Sequence, residues 1–172
     1  MNKEARKKVF EYLEKHGIEY KVYEHPEAPT CEIAMQFWKD IPGEVTHCKN
    51  LFMRNHKGDR HYPVIMPWDK PLDIHALCAQ IGSTRLSFAS SERMMRYLGV
   101  TPGSVSLFGL VNDVNAEVEL IMDESLARAQ AVSFHPNDNT ASVVIDSHAL
   151  RAYLATLRQK WSFTDLPEGE NR

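Results

Sequence analysis

The chain has 172 residues, 43% of them hydrophobic and 25% charged, the proportions of a globular protein with one sizeable core. No apolar run approaches the roughly 18 residues of a membrane span, and the charged N-terminus lacks the apolar core of a secretory signal, so a cytoplasmic protein with no membrane partner is expected. A net charge of −3 excludes a global basic field; DNA is not an expected partner, and any RNA must be met by a local patch.

Residues 3–16 carry Val9, Phe10, Tyr12 and Leu13 at helical spacing, with Gly17 as the stop. Residues 20–24 alternate as a strand, residues 25–29 form a loop, and Thr30 is placed to cap a helix that follows. Strands are predicted over 49–54 and 61–66, with a turn between them in which Gly58 takes positive φ. Helices are predicted over 71–79 and 90–98, followed by the turn-rich Gly99-Val100-Thr101-Pro102-Gly103 and a short apolar run over 105–110. Residues 116–122 alternate as a strand, and 125–130 form a short helix or turn. Strands over 131–134 and 141–145 flank His135-Pro136-Asn137-Asp138-Asn139. A last helix is predicted over 147–160, with a frayed tail beyond Asp165. Local hairpins mixed with helices indicate an α+β fold with a mixed sheet in one domain over 1–172, its core about 4–160. No GxGxxG or P-loop supplies a phosphate cradle.

The candidate chemistry begins at Thr46-His47-Cys48-Lys49-Asn50-Leu51-Phe52-Met53, where a lysine and an asparagine open an apolar strand. Lysine is almost never fully buried without a partner. Lys49 with Asn50 fits a fixed cation and amide at a pocket mouth, able to hold a phosphate or polarise a carbonyl. It equally fits a charge guarding a strand end. His135 could orient a substrate or water, or sit in a plain Pro-Asn turn. Gly103, Ser104 and Ser106 let backbone N–H groups approach an acyl group or phosphate, or make an ordinary connection. Glu92, Arg93 and Arg96 read as a solvated helix face with local ion pairs. The three cysteines, Cys31, Cys48 and Cys78, form no CxxC pair and read as free structural thiols; no cluster has metal-ligand spacing, and no cofactor is implied. No GxSxG motif supports a hydrolase triad.

Several ordered segments together resemble the superfamily of YbaK-like and prolyl-tRNA synthetase editing domains, in its free-standing alanyl-tRNA(Pro) deacylase branch. They are Tyr23-Glu24-His25-Pro26 with Thr30-Cys31-Glu32; Cys48-Lys49-Asn50-Leu51-Phe52; Ser87-Phe88-Ala89; Leu98 to Val105; Phe108-Gly109-Leu110-Val111-Asn112-Asp113; and Phe134-His135-Pro136-Asn137 with Asn139-Thr140-Ala141. The resemblance implies a curled, partly closed mixed β-sheet barrel flanked by helices. It implies hydrolysis of the ester joining a wrong amino acid, alanine first, to the 3′ end of tRNA(Pro), with prolyl-tRNA synthetase as a possible partner. A cysteinyl-tRNA(Pro) deacylase and a non-catalytic tRNA- or synthetase-binding module are the alternatives. By position, Lys49 and Asn50 match the family's catalytic pair. Gly103, Ser104, Ser106, Leu107, His135 and Thr30 fall at its substrate-binding segments. The family's substrate is thought to help activate the attacking water through its own ribose 2′-hydroxyl, which removes the need for a Ser or Cys nucleophile. Leu107 replaces the proline of the family's Gly-x-x-x-Pro loop, so the stiffness and acyl range of that loop are expected to differ. Arg54, Lys57 and Arg60, on the hairpin after Lys49, are candidate supports for the RNA backbone.

Overall fold

A computed structural model describes residues 1–170. Helix α1 (Lys3–Lys15) starts where the Asn2 side chain accepts the Ala5 N–H at 3.1 Å, and its i, i+4 pair Val9 and Leu13 is buried. Strand β1 (Lys21–Glu24) and helix α2 (Cys31–Trp38) follow. The long β2 (Val45–Arg54) and β3 (His61–Pro67) make the hairpin, and helix α3 (Ile74–Ile81), strand β4 (Ser87–Phe88) and helix α4 (Ser91–Leu98) come next. Strands β5 (Leu120–Asp123), β6 (Ala131–Phe134) and β7 (Ala141–Asp146) lead into helix α5 (Ser147–Thr156) and a final β8 (Trp161–Thr164). Single 3₁₀ segments occupy Leu107–Asn112 and Glu124–Arg128.

The strands form one mixed sheet in the order β1-β7-β6-β2-β3-β5-β8, with β4 pairing to β2 off that path. Pairings β2–β6, β3–β5 and β5–β8 are parallel, and the rest are antiparallel. The end strands β1 and β8 do not pair with each other, so the curled sheet stays open. Helices cover both faces. Ile65 of β3 packs into the cluster that holds α1, α4 and α5, whereas Tyr62, Val64 and Met66 alternate to the other face against Leu77 of α3. A third cluster, Ala28, Ala34, Trp38 and Ile41, packs α2 against Tyr23 of β1, Val144 of β7 and Val45 of β2.

Several boundaries differ from the sequence pattern; β2 begins at Val45, four residues before the predicted start. The helix predicted over 71–79 begins at Ile74 because the Asp73 carboxylate accepts the Ala76 N–H at 2.9 Å and so caps the later start. The strand predicted over 116–122 is confined to Leu120–Asp123. The Asp113 carboxylate draws in the Glu117 and Val118 N–H groups at 3.1 and 3.0 Å, and holds that stretch in a loop. The last helix stops at Thr156, and Trp161–Thr164 joins the sheet beside β5. The tail is not frayed over its described length: Leu166 is buried and donates its N–H to Asp123, and Gly169 donates to the Pro71 carbonyl at 3.1 Å.

Candidate functional site

The site grows out of a gap in the sheet. On one edge of β2, Val45, Thr46 and His47 pair with β6, and further along the same edge Met53 and Arg54 pair with β4. Between those two partners the edge is open. The ladder to β3 fixes what faces the opening. The His47 carbonyl accepts from Trp68 N–H and Asn55 N–H donates to the Arg60 carbonyl, so odd-numbered residues bond toward β3. Even-numbered residues turn outward, as the Phe52 carbonyl does toward Ala89 N–H at 2.8 Å. Asn50 therefore directs both of its main-chain groups into the gap.

A cavity of about 420 Å³ occupies this gap, within the range of small-ligand sites and far larger than an alanyl group. Lys49 and Asn50 project from opposite faces of β2, and the cavity wraps the strand edge and is lined by both. Pro29, Thr30, Cys31 and Glu32 at the start of α2, and Gly103 and His135 from two loops, also line it. Trp38, Trp68, Phe88, Met94 and Val105 supply apolar wall.

The polar groups differ in how far their neighbours satisfy them. Among the described residues, no carboxylate forms an ion pair with Lys49. Burial pulls the Lys49 ammonium below its ordinary pKa, while Cys31, Asp69 and Glu32 work in the other direction. Asn50 Oδ1 is buried and has no hydrogen-bond partner, an acceptor left waiting in a place where most are satisfied. His135 Nδ1 donates to the Ala141 carbonyl at 2.9 Å, which fixes the proton on Nδ1 and leaves Nε2 as the ring's acceptor. Burial, first of all, lowers the His135 pKa and favours this neutral form. Thr30 caps α2 by accepting the Ile33 N–H at 3.3 Å and lines the cavity as well.

Gly103 has φ +88° and packs against Pro29, and its carbonyl accepts from Asn139. The same turn that carries His135 ties down the entry to α2, through Ala28 N–H to the Asn139 carbonyl at 2.9 Å and His25 N–H to the Thr140 carbonyl at 3.0 Å.

Lys49, Asn50, Gly103, His135 and Thr30 are thus brought together around one cavity. Ser104, Ser106 and Leu107 lie behind the wall. Ser106 Oγ donates to the His135 carbonyl and accepts the Phe108 N–H, while Leu107 is fully buried in the main core and gives its carbonyl to Tyr153. The leucine that stands where the family loop has proline packs into the core and does not face the ligand space.

Trp38, Trp68 and Met94 escaped sequence reading because they come from separate elements, and no spacing links them. Cys31 does line the cavity, but burial, then Glu32, raises its thiol pKa against the opposing effect of Lys49, which makes it a poor nucleophile. No group of three or more His, Cys, Asp or Glu able to hold a metal occurs among the described residues.

The structure is thus a helix-flanked open mixed sheet with a lysine, an asparagine and a histidine around one cavity. Residues 25–153 match the family model for that domain, and the chain belongs to the aminoacyl-tRNA editing domain family. The prolyl-tRNA editing protein ProX of Acetoanaerobium sticklandii is 41% identical over 145 residues, 84% of this chain and 87% of that protein. The zebrafish (Danio rerio) prolyl-tRNA synthetase associated domain-containing protein 1 is 30% identical over 153 residues, 88% of this chain and 82% of that one. A crystal structure of a proposed trans-editing enzyme for prolyl-tRNA synthetase shares the fold, with a TM-score of 0.72 over 96% of this chain and 98% of that one at 23% identity.

Proposed function

We propose that this aminoacyl-tRNA deacylase hydrolyses mischarged tRNA(Pro) in trans, with alanine as the preferred acyl group. The observation that carries the reading is the cavity itself, where Lys49, Asn50 and His135 surround a space of about 420 Å³. The relative named as a prolyl-tRNA editing protein supports tRNA(Pro) as the source of that group, and prolyl-tRNA synthetase is the partner whose errors would be corrected.

In this mechanism Lys49 holds the phosphate or acyl oxygen of the terminal adenosine by charge. It does not attack the ester. The Asn50 amide and the main-chain groups at the gap orient the acyl group. His135 Nε2 accepts a hydrogen bond from the ribose or the water. A water oxygen bonds to the ester carbon, the bond from that carbon to the ribose 3′-oxygen breaks, and the water's proton passes to that oxygen with help from the neighbouring 2′-hydroxyl. The products are the free amino acid and uncharged tRNA.

The test is a deacylation assay on tRNA(Pro) charged with alanine, cysteine or proline, with Lys49→Ala as control. Hydrolysis of the alanyl ester, lost in Lys49→Ala, is the expected result. Preference for the cysteinyl ester would move the assignment to the cysteine-specific branch, and hydrolysis of none of the three would favour a binding module.

A further inference from the structure

Among the residues that line the cavity, Lys49 is the one fixed cation and Glu32 the one acid. Both belong to the α2 side of β2. His47 stacks on Trp38 of α2 with ring centroids 4.5 Å apart, and Lys49, two residues further along the strand, takes the same face. Glu32 sits in the first turn of α2. Among the described residues, neither charge forms an ion pair, with the other or with a third group. Each is still felt by its neighbours. Glu32 opposes the loss of the Lys49 proton, and the two charges act on the Cys31 thiol in opposite directions. Asp69 also acts on Lys49, but it does not line the cavity.

Two opposite charges that share a cavity and leave each other unpaired fit a ligand that carries both signs. The end of a charged tRNA does so. Its terminal phosphate is an anion, and its aminoacyl group bears a free α-amine, protonated below an ordinary pKa of about 7.7–8.0. Lys49 takes an oxygen in the mechanism above, and that mechanism leaves Glu32 without a task. A carboxylate accepts strongly from an ammonium, and a charge-assisted bond of this kind can orient the acyl group that carries it. A negative side chain also suits the N-terminus of a helix, so the role of Glu32 is read from ligand discrimination and not from stability.

We propose that Glu32 receives the protonated α-amine of the aminoacyl group and restricts the site to esters of free amino acids. This rests on the deacylase reading above. The carboxylate then separates a wrongly charged tRNA from one that carries a growing peptide, whose α-nitrogen is an uncharged amide. It separates it equally from esters of hydroxy acids.

The test is binding, which needs no hydrolysis. Two analogues of the acylated adenosine are compared, each with an amide in place of the ester. One carries alanine and the other lactic acid, which has a hydroxyl where alanine has its amine. Binding to the full chain is followed by tryptophan fluorescence, since Trp38 and Trp68 line the cavity, at about pH 6.5 to keep the amine protonated. The wild type should bind the alanyl analogue about fivefold tighter, the upper end for an ion pair open to solvent. Glu32 is exposed, so its replacement leaves the core intact. Glu32→Gln should weaken the alanyl analogue to the level of the lactyl one and leave the lactyl analogue unchanged. Glu32→Lys should reverse the order. Equal binding of the two by the wild type, a preference that survives in Glu32→Gln, or binding of neither analogue overturns the role of Glu32. Failure of the wild type to hydrolyse any charged tRNA(Pro), read in a separate assay, would overturn the deacylase reading instead.

Discussion

Gly103 lies so close to Pro29 that a Cβ on the glycine would come within 3.1 Å of the Pro29 Cβ and 3.2 Å of its Cα. The contact joins the loop after α4 to the entry of α2, and both elements wall the cavity. Gly103→Ala adds left-handed strain at φ +88° to this clash, since backbone cannot swing away as a long side chain can. The expected cost is ~1–3 kcal/mol in chemical denaturation, with weaker deacylation at subsaturating substrate. An unchanged denaturation midpoint would contradict the contact.

Asn50 offers the opposite balance. Its buried Oδ1 has no partner, so removing it relieves an unsatisfied acceptor. Asn50→Leu should leave the melting temperature unchanged or raised. The rate should fall by ~10²–10³, the loss seen when one preorganised polar group is deleted from an active site. A large fall in melting temperature would show that Asn50 serves the fold.

Lys70 and Asp123 form a partly buried ion pair, 2.7 Å apart with side chains 17% and 1% exposed. Burial alone would raise the Asp123 pKa, but Lys70, Ser125 and the Leu166 N–H hold it below its ordinary value. Lys70→Met strands the carboxylate and should cost ~3–5 kcal/mol. Adding Asp123→Asn should recover much of the loss, a coupling that a double-mutant cycle measures.

His61 sets an acid limit on stability. Burial, then the charges of Arg93, Arg54 and Arg96 against a weaker opposing effect of Asp59, lowers its pKa from 6.5 to about 4. The unfolded chain therefore binds the proton first as pH falls. This contribution to stability is fully present above about pH 6.5 and is lost on descent to about pH 4. Thermal melts over that window should show a falling midpoint, flatter in His61→Gln. His47, lowered to about 4 by burial, leaves a residual slope of the same sign in that variant.

Much of this architecture is legible in the residues. Thr30 announces its helix because a capping hydroxyl acts within three residues, and the cap forms. Gly58 announces its turn for the same local reason. The pair Lys49-Asn50 marks the site because polar residues at the head of an apolar strand are conspicuous. What stays hidden depends on competing side chains and on distant partners. The capture of Glu117 and Val118 by Asp113 shortens a well-patterned strand. Trp161 to Thr164 alternates with period two yet adjoins a helical pattern, and only β5 decides the outcome. Arg93 and Arg96 read as a solvated face with local ion pairs, but Arg93 instead bonds to the β2–β3 hairpin and, among the described residues, neither forms an ion pair.

The interrupted edge of β2 also bears on how the protein behaves in a crowded solution. Unpaired strand edges on a surface recruit strands from other molecules and seed aggregates. Here the exposed peptide groups are confined to the short interval around Asn50, bracketed by β6 on one side and β4 on the other. A foreign strand finds too few rungs to add. The opening can remain permanently ready for a small guest without becoming a point of self-association.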